Sequence, residues 1–423
     1  MTSTRRSFLQ KSIAVTSGTL LSAGLASTSV ARDKQSSVPR KIQSMTKNVK
    51  AITVEERRAR IEKARKLMVD NNIDAVFIES GSTLEYFTGI SWSSSERMTA
   101  TIIPRKGNIF YVCPAFEEER LRELISIDGE VRIWQEYESP FKLVVDTLKD
   151  LGMASGRIGI EEYARFFLYD GIREASVGLE MVNAKPVTAG CRMIKSSNEL
   201  ALMAKVNEIT LEAYRIGLSE LKERMSQSEL DAIVYQTMTA LGASKAGWVG
   251  SSFGKYSAFS HGSSQAQSLK EGDIVLIDGG CILEGYQADV TRTTVFGTPS
   301  KRQRQIWDVV KEVQTKVYEQ AKAGVLCEHL DATARKVVEK AGFGSGYTNF
   351  FHRVGHGVGM EFHEWEYLVK GNKMAMQPGM CFSNEPGIYL CEEFGVRLED
   401  CFYITEDSYQ TFTPQSPSID VPI

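Results

Sequence analysis

The feature that most restricts this chain is a pair of aspartates set inside strand-forming, apolar sequence. In "LIDGGCILEGYQADVTRTTVF", Asp278 follows the apolar run "DIVLI", and Asp289 stands eleven positions later at the head of a β-branched run. Gly285 lies between them and suits a turn. Two antiparallel strands joined there would set the carboxylates side by side. Thr291 would share the face of Asp289, because side chains alternate along a strand. An ionised carboxylate is costly to bury unless it is paired or holds a metal. The fold must therefore bring other groups to this hairpin.

Candidates lie downstream. Histidine is scarce, five in the chain, yet His352, His356 and His363 fall within twelve residues in "HRVGHGVGMEFHE". The glycines among them permit close backbone approach. "FSNEPGIYL" places Glu385 after an apolar strand and before a Pro-Gly turn. "GVRLEDCF" places Glu399 fourteen positions later, with Arg397 on the same face. This predicts a second hairpin with a carboxylate on each arm. Asp278, Asp289, Glu385 and Glu399 gathered in one pocket would raise each other's pKa values. Two divalent cations would neutralise them. Carboxylates with one imidazole suit Mn²⁺, Co²⁺, Fe²⁺ or Zn²⁺. Two such ions can share and activate one water. Arg397 reads as a group that orients a ligand, His352 as a neighbour of the ligands, and His329 as a surface or core residue. Tyr286 and Trp365 are candidates for the pocket lining or the core.

The rest of the chain frames these motifs. It has 423 residues, enough for two or three domains. Its net charge of −3 gives no electrostatic case for nucleic acid. Seven cysteines without a CxxC indicate neither a disulfide scaffold nor a zinc knuckle. Residues 1–31 carry Arg5 and Arg6, an apolar stretch from Ile13 to Ala26 and small residues ending at Ala31. That order reads as a twin-arginine export signal and predicts a periplasmic protein. Residues 32–53 read as a flexible leader, and no later apolar run approaches a membrane span. Helix and strand patterns alternate over 54–187, which predicts an α/β domain. The stretch "KPVTAGCRMIKSSNE" has turn chemistry and marks a boundary. Over 188–423 the patterns predict an α+β domain, with helices at 197–221 and 227–241 and one amphipathic helix near 303–323.

In the order Asp278, Asp289, His356, Glu385, Glu399 the chain resembles the M24 metallopeptidases of pita-bread fold. That family holds methionine aminopeptidase, aminopeptidase P, prolidase and creatinase. His261 in "FSHG" and His363 match its additional histidines, and the resemblance spans about residues 54–415. One departure is "HEWEY", where the family more usually has His-Glu-x-Pro. The resemblance implies a creatinase/prolidase-type N-terminal domain before a pita-bread catalytic domain. It implies two metal ions, Mn²⁺ or Co²⁺ first, held by the five ligands. It implies hydrolysis of the bond between an N-terminal residue and proline, as an aminopeptidase or a dipeptidase, by a hydroxide shared between the ions. Glu385 would move the water's proton to the leaving nitrogen, His261 would donate to the developing oxyanion, and His363 would position the substrate. A homodimer is expected. The alternative is a creatinase-like or other small-amide hydrolase. Creatinase works without metal, so the complete ligand set argues against that version.

Overall fold

The computed structural model describes residues 42–423. The predicted export signal lies outside the described residues. In the N-terminal half a mixed sheet contains β1 (Ala75–Glu79), β2 (Ala100–Pro104), β3 (Ile109–Pro114), β4 (Gly129–Trp134), β5 (Gly156–Ile160) and β6 (Leu179–Asn183). Its order is β4-β3-β2-β1-β5-β6, with β2 antiparallel to both neighbours. Helices cover both faces, which is why the strands are near-continuous apolar runs. Val76 and Ile78 join one core with Ile61 and Leu84, while Ala75 and Phe77 join another with Val144 and Leu168. Helix Val54–Asp70 starts at a capping box between Thr53 and Glu56.

The C-terminal half repeats one plan twice: a sheet covered by two helices. The first sheet contains β7 (Lys245–Phe253), β8 (Ile274–Leu283), β9 (Tyr286–Gln287) and β10 (Val290–Val295). Its order is β10-β8-β7, with β9 on the end of β8. The predicted turn is there: Glu284 and Gly285 both have positive φ, 51° and 83°. That pair of angles matches a two-residue hairpin turn. Helices Ser197–Ser219 and Gln227–Leu241 supply the apolar cover. The second sheet uses β11 (Gly355–Gly357), β12 (Glu364–Leu368) and β13 (Cys381–Asn384). Then follow β14 (Gly387–Leu390), β15 (Phe394–Arg397), β16 (Asp400–Ile404) and β17 (Tyr409–Thr411). The order is β12-β11-β13-β16-β17, with β14 and β15 paired separately. Helices Lys301–Gln320 and Cys327–Lys340 cover it. A single bridge between Thr291 and Glu399 joins the two sheets.

Four expectations need correction. The stretch read as boundary turns forms a helix over Lys185–Arg192, because Pro186 sits in its first turn, where no N–H is required. Pro386-Gly387 does not reverse the chain: it breaks the ladder, Gly387 opens β14, and the reversal comes at Cys391–Glu393. The last region holds two long helices rather than one. Residues 42–53 belong to the folded unit: Met45 N donates to Leu241 O at 2.8 Å, and Ile42 and Val49 pack against the core.

Buried polar contacts tie the two halves together. Arg60 donates to Tyr286 Oη at 2.8 Å and lies 3.2 Å from Glu199. Arg192 and Lys195 each hold one oxygen of Glu364 at 2.7 Å. Among the described residues no helix is long and apolar enough to cross a membrane.

Candidate metal centre

At the seam between the two sheets, each hairpin is interrupted where a carboxylate must face inward. Asp278 lies on β8, opposite Thr291 of β10, and Asp289 occupies the gap between β9 and β10. Glu385 follows β13, and Glu399 fills the gap between β15 and β16. Gly279, next to Asp278, has φ 125°, and a Cβ there would lie 1.9 Å from Trp248 O, so only glycine fits. His356 sits at the centre of β11 and is buried.

The predicted ligands converge. Asp278, Asp289 and Glu399 each place an oxygen within 4.8 Å of the others, and so do His356, Glu385 and Glu399 with one atom each. Glu399 belongs to both groups. A third group joins Asp289, His356 and His363. His356 Nδ1 lies 2.9 Å from Gly357 O, which makes that nitrogen the N–H donor. Its Nε2 is left facing Glu385 Oε1 at 3.2 Å and Asp289 Oδ2 at 3.5 Å. That is the arrangement a ligating imidazole needs.

The surroundings hold these groups still. Thr291 Oγ1 lies 2.6 Å from Asp278 Oδ1 and 2.7 Å from Glu399 Oε2, and accepts from Arg397 Nε at 3.0 Å. Arg397 also pairs with Asp278 at 2.5 Å and donates to Tyr389 Oη at 2.9 Å. Tyr389 Oη lies 2.8 Å from His352 Nε2. Arg292, fully buried, donates to Glu399 O at 2.8 Å and to Asp400 Oδ1 at 2.6 Å.

Negative charge remains in excess. Burial and the charge of Asp278 push the Asp289 carboxyl well above its ordinary range. Burial and Asp289 do the same to Glu399. Burial acts the same way on Glu385, but the hydrogen bond and charge of His356 outweigh it and pull that carboxyl down. Glu399 Oε1 is buried with no hydrogen-bond partner. A buried oxygen without a donor, amid four carboxylates and an imidazole nitrogen, fits divalent cations.

The centre opens into a cleft of about 590 Å³, also lined by Trp248, His261, Arg353, Phe362 and His363. A somewhat larger hollow, about 670 Å³, lies beside Leu326 and Tyr347 and contains none of the predicted ligands. His261 is exposed at the cleft, and the His363 ring stands edge-on to His356 at 4.1 Å. His352 is committed at both nitrogens, to Tyr389 and to Arg353 O at 2.7 Å. His329 is exposed on its helix, outside the centre. Tyr286 is buried between the two halves, and Trp365 packs on Tyr163 at 5.4 Å, so neither lines the cleft.

Residues 201–406 match the model of metallopeptidase family M24, and residues 60–194 match the creatinase/prolidase N-terminal domain. The Xaa-Pro dipeptidase of Lactobacillus helveticus is 31% identical over 362 residues, covering 84% of this chain and 96% of the relative. The chain belongs to metallopeptidase family M24. The Xaa-Pro dipeptidase of Pyrococcus furiosus is 31% identical over 84% of this M24 chain and 97% of its own. The crystal structure of a Thermococcus sibiricus prolidase superposes with a TM-score of 0.79 at 28% identity, covering 85% and 97%. An X-Pro aminopeptidase from Thermotoga maritima gives 0.75 at 26%, covering 85% and 99%. The fold is thus the pita-bread architecture behind a creatinase-type N-terminal domain, as its M24 membership requires.

Several residues of this M24 site were not found from sequence. Arg353 lines the cleft with Nη1 buried and without a hydrogen-bond partner. Trp248 enters the cleft from a bulge in β7, between Ala246 and Val249. Tyr389 accepts from Arg397, and Arg292 ties the Glu399 carbonyl to Asp400. The only available signal for Arg353 was its place beside His352.

Proposed function

We propose that this chain is a two-metal Xaa-Pro dipeptidase, hydrolysing the bond between an N-terminal residue and a C-terminal proline. The observation that carries the reading is the convergence of Asp278, Asp289, His356, Glu385 and Glu399 beside a buried guanidinium nitrogen without a partner. The five donors would hold two divalent ions, Mn²⁺ or Co²⁺ first and Fe²⁺ or Zn²⁺ second. Bound there, the ions supply Lewis acidity toward a carbonyl and lower the pKa of water.

The remaining work falls to the chain. Glu385, partly exposed to the cleft, takes a proton from the attacking water and delivers it to the proline nitrogen. That nitrogen carries no hydrogen in the peptide bond, so it cannot leave as a stable amine without one. His363, exposed at the cleft with its ring edge-on to His356, positions the substrate. His261 donates to the oxygen that becomes negative. Trp248 and Phe362 give the proline ring an apolar wall. Arg353 receives the carboxylate of a dipeptide, which favours a dipeptidase over an enzyme acting on longer peptides. Twin-arginine export to the periplasm and a homodimer belong to the same proposal. The first rests on the order of residues 1–31, the second on family resemblance.

The dipeptide assignment is tested by comparing Ala-Pro with Ala-Pro amide on metal-loaded protein. The amide should be cleaved at least about tenfold less efficiently, because a charged hydrogen bond is lost. Equal kcat/KM would remove Arg353 from substrate recognition.

A further inference from the structure

A second chamber of about 390 Å³ opens beside the cleft and shares Trp248, Ser260, His261, Asp278 and Arg397 with it. Its far wall is helix Gln227–Leu241, which contributes Gln227 and Asp231, and several serines complete a polar lining. Asp231 stands out. One of its carboxylate oxygens is buried without a hydrogen-bond partner, and its polar contacts come from Ser251. Among the described residues no lysine or arginine pairs with it. Arg397 lines the chamber, but its guanidinium is committed to Asp278, Thr291, Ser260 and Tyr389. Burial without a counter-charge lifts the Asp231 carboxyl to about 6, which still leaves it ionised in neutral solution. A partly buried carboxylate facing a polar chamber without a cation is a site for one.

We infer that Asp231 is the counter-charge of a subsite for a cationic side chain, lysine or arginine, on the substrate residue that precedes proline. The inference rests on the dipeptidase reading. In an Xaa-Pro dipeptide the residue before proline carries the one side chain that varies. Reach selects that side chain over the α-ammonium group. The α-ammonium is one carbon from the scissile carbonyl, so it stays in the cleft beside the metal ligands. Asp231 lines the chamber and does not line the cleft. A lysine or arginine head group lies several bonds beyond Cα and can pass Trp248 to reach it. Trp248 is 44% exposed and lines both spaces, offering a ring over which a cation can sit on the way. Gly250, opposite Asp278 in the ladder, lies under that ring: a Cβ there would be 2.7 Å from Trp248 Cζ2.

The test measures kcat/KM of the manganese-loaded protein on Lys-Pro and on Met-Pro, a neutral side chain of similar length, for the natural chain and for Asp231→Asn. The natural chain should prefer Lys-Pro, and the variant should lower the Lys-Pro to Met-Pro ratio at least about tenfold, chiefly through KM. Both rates come from one preparation, so the ratio does not depend on the folded fraction. An unchanged ratio overturns the inference. If both rates fall equally, Asp231 serves a part common to both substrates, such as the α-ammonium group. If neither falls, it serves no substrate. A natural chain that cleaves Met-Pro without preferring Lys-Pro defeats this inference alone. One that cleaves neither defeats the dipeptidase reading and this inference with it.

Discussion

Thr291 has one hydroxyl proton, and two carboxylates lie within 2.7 Å of its oxygen. Arg397 Nε donates to the same oxygen, so Thr291 sets the spacing of Asp278 and Glu399. Thr291→Val keeps the shape and removes the hydroxyl. It should weaken metal binding or activity by about 10–100-fold, the usual cost of losing such an outer contact, read by metal titration beside kinetics. His261→Ala should keep both metals and lower kcat by about 10²–10³, with much less change in KM. Loss of metal from that variant would make His261 a ligand or its support. The acidic candidate ligands were legible because a carboxylate in an apolar strand demands an explanation. Arg353 and Asp231 were not legible. A charged residue in a loop or on a helix is ordinary until the fold shows one of its polar atoms buried without a hydrogen-bond partner.

At the level of elements, the site depends on strands that stop and resume. Asp289, Glu385 and Glu399 all sit where a ladder is broken, so their side chains escape the strict alternation of a pleated sheet. Periodicity located the strands but could not show that Pro386 interrupts rather than turns, since proline serves either purpose. Another element carries a pH prediction. Glu161 follows β5, accepts from Glu79 N at 3.0 Å, and is raised by burial to about 8 from an ordinary 4.5. Between those values the folded state keeps a proton that the unfolded state has lost. Stability should therefore fall as pH rises through this window and level off above the folded value. Thermal unfolding between about pH 5 and 8 should show a smaller decline for Glu161→Gln than for the natural chain. Parallel curves would remove Glu161 from the pH response.

Across the whole molecule, the N-terminal half is bonded to the catalytic half close to His363. Glu364, the next residue, is gripped by Arg192 and Lys195, and Arg192 also donates to Ser82 and Thr83 at 3.0 Å. Burial raises the Glu364 carboxyl, but Lys195 and Arg192 outweigh it and hold it at about 2. Glu364→Gln should cost about 3–5 kcal/mol in denaturant unfolding, because it strands buried positive charge. A loss under about 1 kcal/mol would show that water reaches the pair. The alternation of helices and strands exposed the two halves to sequence reading. The bonds between them join residues far apart in the chain and could not be seen there. The central claim is a two-metal hydrolysis directed at proline. It is tested most directly by measuring kcat/KM on Ala-Pro and Ala-Ala while metal is removed by chelation and returned stepwise. Activity should vanish with the metal and return in step with two bound ions per chain, and Ala-Pro should be favoured at least about a hundredfold. Activity that survives complete metal removal, or equal rates on the two dipeptides, would contradict it.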